Sequence, residues 1–147
     1  MTTIAHRHTL FGLVFAILGM GLGIYMASSH NHTQHVTHAH ILLLGTVLSL
    51  LYATIYRLWS PQTPTRLATT QLLLHQVGTV ILVGGLFALY GGLAPESVLG
   101  PLLGVGSVAV MGSTLLMLLV YVRATKSPAV RDSARGIVGT GLPTAKT

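Results

Sequence analysis

Four long apolar runs, roughly 9–28, 39–59, 70–91 and 98–122, alternate with short polar segments along the chain. Each has about 20 residues or more, which at 1.5 Å per residue crosses a hydrocarbon core of about 30 Å. None contains Asp, Glu, Lys or Arg inside the span apart from Arg57 at one end, and the middle two carry one histidine each, His40 and His75. A surface helix of a soluble protein keeps one polar face, and these runs keep none. The pattern predicts an all-α polytopic membrane protein with four transmembrane helices in an up-down bundle. Residues 1–122 form this single domain. The polar, basic segment 123–147, rich in Gly, Pro, Ser and Thr, is expected to be a flexible cytoplasmic tail.

Composition agrees: 51% of the 147 residues are hydrophobic, 7% are charged, and the mean hydropathy is +0.72. The net charge of +6 is a topology signal. Arg7 precedes the first run, Arg57 and Arg66 flank the second connection, and the other five basic residues follow the fourth run. Loops 29–37 and 92–97 contain none. The positive-inside rule then predicts an inner (cytoplasmic) membrane protein with both termini cytoplasmic and loop 29–37 outside. Nucleic-acid binding does not explain such an arrangement. The first run is long for the apolar core of a signal peptide, so it reads as a retained span.

Within the spans, small and polar residues line up. Gly12 with Ala16 and Gly19 with Gly23 form small-xxx-small pairs that permit close helix approach. In the second span, His38, Gly45, Ser49, Tyr52 and Tyr56 fall within about 40° of one line at 100° per residue, giving an inward stripe. His40 points about 200° away on a regular helix, toward lipid or a neighbouring subunit. In the third span, Gln71, His75 and Thr79 form a second inward stripe, and Gly84, Ala88 and Gly92 suggest a packing ridge. Pro95 and Glu96 suit the start of the fourth helix. That helix reads as scaffold. Tyr25, Tyr56, Trp59, Tyr90 and Tyr121 fall near expected membrane interfaces.

The candidate chemistry lies in the histidines. His30, His32, His35, His38 and His40 fall within eleven residues at the mouth of the second span. Neutral imidazole suits copper, zinc, nickel and heme iron, and with no cysteine in the chain, imidazole and methionine are the remaining soft donors. In an extended loop, His30 and His32 would point to one side and could chelate together. His35 and His38 share a helix face at i, i+3 spacing. His75 is an ionisable residue within a span, a functional candidate by default. Counted from the flanking arginines, His40 lies about 25 Å and His75 about 13 Å from the basic end, so one chain does not place both on one iron. No carboxylate relay, Ser-His-Asp set or phosphate loop is present.

The stretch THAHILLLGTVLSLLYATIYRLW, followed by LLLHQVGTVILVGGLF, resembles part of the heme-copper oxidase catalytic subunit. It is most similar to small membrane proteins related to cytochrome oxidase subunit I. The resemblance covers residues 37–88. It implies heme b binding, with copper as a further candidate, through His38, His40 and His75, and structural roles for Gly45 and Tyr56-Arg57-Leu58. It also implies that the chain corresponds to one four-helix arc of the oxidase, with a homotrimer as the natural analogue. On this basis the expected function is electron transfer or redox sensing with a redox partner, rather than oxygen reduction by one chain. A second expectation is copper or zinc handling by the outer histidine loop. A third is scaffolding of a partner.

Overall fold

Each apolar run becomes one helix, extended by several residues beyond the run itself. In this computed structural model, which describes residues 3–60 and 63–126, α1 is Thr3–Ser29, α2 His35–Leu58, α3 Thr65–Tyr90 and α4 Glu96–Lys126. The extensions recruit polar end residues because a main chain in lipid must satisfy its hydrogen bonds internally. All four helices are long and apolar enough to cross a membrane. Among the described residues there is no strand. The expected tail begins inside α4, and its remainder lies outside the described residues.

Polar and apolar residues are distributed as lipid requires. His8, Thr37, Ser49, Gln71, His75, Thr79 and Ser113 are all fully buried, while Ile17, Ile24, Leu43, Val105 and Leu118 face outward. In hydrocarbon, exposed Leu and Ile cost nothing and the polar groups must find partners inside.

Glycines let the helices close on one another. A Cβ on Gly12 would meet Leu50 and Ser49, one on Gly19 would meet Leu42, and one on Gly23 would lie 3.0 Å from His38 Cε1. Gly45 of α2 accepts the Phe15 ring of α1. Between α3 and α4, Gly78 faces Ala109 and the backbone of Gly106 and Val110, while Gly106 faces the Leu82 backbone. The ridge expected at Gly84, Ala88 and Gly92 is not the one used. Gly84 and Gly92 have open space beside them, and Gly85 packs on Leu103 instead. One hundred degrees per residue separates Gly84 from Gly85, which decides which one faces α4.

The second helix departs from regularity. Its central portion, Ile41–Leu48, is π-helical between α-helical ends His35–His40 and Ser49–Leu58. Wider turns change the phase, yet Gly45, Ser49, Tyr52 and Tyr56 still share the buried side. Tyr56 keeps the inward side that its stripe gives it and is not an exposed member of the interface belt: at 2% exposure it belongs to an internal cluster with Ala5, Tyr52, Ala68, Met117 and Val120. Tyr25, Trp59, Tyr90 and Tyr121 are exposed as a belt requires. Glu96 occupies the first turn of α4, with the Pro95 carbonyl accepting from Val98 and Leu99.

Candidate functional site

The histidines fall into two groups at different depths. The histidine rim begins where α1 ends at Ser29. His30 follows with left-handed backbone, φ 53°, a conformation common at helix C-termini. The loop is therefore not extended at that point, and the alternation that would set His30 and His32 on one side is not formed. Asn31 Oδ1 accepts from the Thr33 amide at 3.0 Å, closing a further turn. Gln34, nearly buried, ties the loop to α3 by donating to the Phe87 carbonyl at 3.1 Å and accepting from Thr37 Oγ1 at 2.7 Å.

Three rim imidazoles are oriented by main-chain carbonyls. His35 Nδ1 donates to the His32 carbonyl at 3.0 Å, His38 Nδ1 to Gly19 of α1 at 2.9 Å, and His40 Nδ1 to Val36 at 2.8 Å. A carbonyl only accepts, so each Nδ1 carries the proton and each Nε2 keeps its lone pair. His30, His32 and His35 are exposed, and His38 and His40 are half-buried. The rings diverge: His38 turns to α1, whereas the His35 ring lies 6.3 Å from Tyr90 of α3. Among the described residues, no three His, Cys, Asp or Glu side chains gather as a metal cage.

The inner group is built around His75. Its Nε2 lies 2.8 Å from Ser49 Oγ of α2, which also leans on the Leu44 carbonyl at 3.5 Å. The ring of Tyr52 stands edge-on to it at 4.9 Å, and Phe11 of α1 lies at 6.0 Å. Beside it, at 5.7 Å between ring centres, is His8 of α1. His8 Nε2 donates to Gln71 Oε1 at 3.0 Å, and the same oxygen accepts from the Tyr56 hydroxyl at 3.2 Å. Tyr52 completes the group through its hydroxyl, 2.8 Å from Thr114 Oγ1 of α4, so the fourth helix is more than inert scaffold. His8 Nδ1, His75 Nδ1, Gln71 Nε2 and Thr79 Oγ1 are buried without a hydrogen-bond partner.

Sequence reasoning placed His75, Gln71 and Thr79 inside, and they are fully buried. It placed His38 on the inner stripe, and His38 bonds α1. It missed His8, which precedes the apolar run as read from position 9. The signal was present in the stripe Ala5, His8, Gly12, Phe15 and Gly19, which alternates steps of three and four. His75 has no ring contact or hydrogen bond with His38 or His40.

A groove of about 960 Å³ opens at the histidine-loop end between α1 and α3, bordered by Ile17, Gly21, Tyr25, Gln34, Phe87 and Tyr90 among others. No histidine lines it. Heme therefore fits poorly at either place. The groove offers no axial imidazole, and His8 and His75, each fully buried, leave no slot alongside for a macrocycle. Comparison of the chain with protein-family models, curated proteins and solved structures returns no match. The oxidase likeness rests on the short motifs in residues 37–88 alone.

Proposed function

We propose that this is a membrane protein that handles a metal ion, copper or zinc, through its outer histidine rim. The observation that carries the proposal is the hydrogen-bonding pattern common to His35, His38 and His40, each with Nδ1–H on a carbonyl and Nε2 left as a lone pair. Metal-binding histidines are held by such second bonds, which fix the tautomer and raise ligand basicity. His30 and His32 add exposed donors next to them. Because the described residues gather fewer than three ligands at any one point, an ion held at the rim draws further donors from water or from a second copy. A homo-oligomer, with the trimer as the oxidase-like analogue, would supply them. By the positive-inside argument the protein sits in the inner membrane with the rim outside, where incoming metal is met first.

A redox role, electron transfer or sensing, is the second reading. It is favoured by Tyr52 and Tyr56 packed against the two inner histidines. In this reading copper is a better resident than heme b, given the lack of a slot beside His75.

The test is equilibrium binding of Cu(II) and Zn(II) to purified protein in nanodiscs. Replacing His30, His32, His35, His38 and His40 together by Gln is expected to abolish binding tighter than micromolar. Unchanged binding by this variant would refute the rim.

A further inference from the structure

We infer that His8 and His75 form a separate, buried binding site for one monovalent copper ion. The site uses no rim residue and stands or falls independently of the rim proposal. Its starting point is tautomer chemistry. Gln71 Oε1 accepts only, so His8 Nε2 bears the proton and His8 Nδ1 is a bare lone pair. Ser49 Oγ lies 3.5 Å from the Leu44 carbonyl and 2.8 Å from His75 Nε2; with the hydroxyl donating to that carbonyl, His75 Nε2 donates to Ser49 and His75 Nδ1 is left in the same state as His8 Nδ1. Both Nδ1 atoms are buried without partners in neighbouring rings. Nitrogen lone pairs sealed in an apolar bundle call for an electrophile.

The dimensions suit a metal bridge. With metal–nitrogen bonds of about 2.0 Å, a linear bridge between two imidazoles would put ring centres roughly 6.4 Å apart. The observed 5.7 Å is close to that, so the rings need to part only slightly to take up a two-coordinate ion. Two neutral nitrogens, with no cysteine in the chain and no third ligating residue gathered among the described residues, select a low coordination number. Zinc would lack half of its tetrahedral set. A single positive charge is also far cheaper to bury than a double one. Tyr56 stacks on the His8 ring at 5.9 Å, and Tyr52 and Phe11 close the site around His75. Gln71 and Ser49 would serve as the outer partners that hold the rings.

The experiment uses a full-length variant with His6 and the five rim histidines replaced by Gln, so that His8 and His75 alone remain. It is reconstituted in nanodiscs and titrated anaerobically with Cu(I) against a chromogenic Cu(I) chelator. The expected result is one Cu(I) per chain, with an X-ray absorption spectrum showing two imidazole nitrogens. His8→Asn or His75→Asn in that background should weaken binding by about 100-fold or more. As a readout that needs no substitution, Cu(I) added to unaltered ¹⁵N-histidine protein should shift the Nδ1 resonances of His8 and His75 at one equivalent. Absence of Cu(I) binding in the six-histidine variant when it is folded, binding indifferent to both Asn substitutions, or unmoved Nδ1 resonances would overturn the site. A bridging water in place of copper gives that last pattern.

Discussion

Ser49 and His75 meet Oγ to Nε2 at 2.8 Å, linking the second helix to the third at a point where both side chains are fully buried. Ser49 is the first residue after the π-helical stretch, so the wide turns set the phase with which it reaches His75. The bond costs little to form in hydrocarbon and much to lose, because the imidazole nitrogen would remain behind unpaired.

Ser49→Ala should therefore destabilise the bundle by about 1–2 kcal/mol, more than an average interhelical bond in a membrane. Reversible unfolding in mixed micelles measures it. A value near zero would mean that the imidazole finds another partner.

His38 and His40 differ in what their Nδ1–H groups hold. His38 bonds a different helix at Gly19, whereas His40 bonds its own helix at Val36. His38→Leu should cost about 0.6–1.7 kcal/mol in the same unfolding measurement, and His40→Leu close to nothing. Equal losses would place the two rings in equivalent environments.

The α3–α4 contact predicts an asymmetry between glycines. A Cβ at Gly78 would lie 2.9 Å from the Ala109 Cβ and 3.1 Å from the Val110 nitrogen, while Gly84 has open space. Gly78→Val should destabilise by about 1–3 kcal/mol through overpacking, and Gly84→Val should be neutral within about 0.5 kcal/mol. The same micelle unfolding curves distinguish them.

Because the chain has no cysteine, single cysteines report sidedness without background. Thr33→Cys should react with an impermeant maleimide from outside intact cells, and Thr65→Cys only after permeabilisation. The reverse pattern would invert the topology read from the arginines.

Much of this was legible in the chain. Four apolar runs of membrane length leave little choice of fold, and His75 with Gln71 and Thr79 at i±4 could only share a face. The π-helical stretch was not legible, since ILLLGTVL is as compatible with regular turns as with wide ones. Phe15 seated on Gly45 is a contact between helices that no local pattern encodes. His8 escaped because hydropathy marks where apolar residues begin, whereas the buried stripe of α1 starts one turn earlier at Ala5. Tyr56 was legible in two ways, near a span's end and on the inward stripe, and the inward side is the one it takes. Proximity to a span's end gives depth, and only the angular position shows that the ring turns inward.

The most direct test of the account is the optical spectrum and metal content of the protein purified from membranes without chelator. The expected result is stoichiometric copper or zinc by mass spectrometry, with no Soret band and no reducible α and β bands. A Soret band with matching iron, or a preparation that neither carries nor takes up any metal, would contradict it.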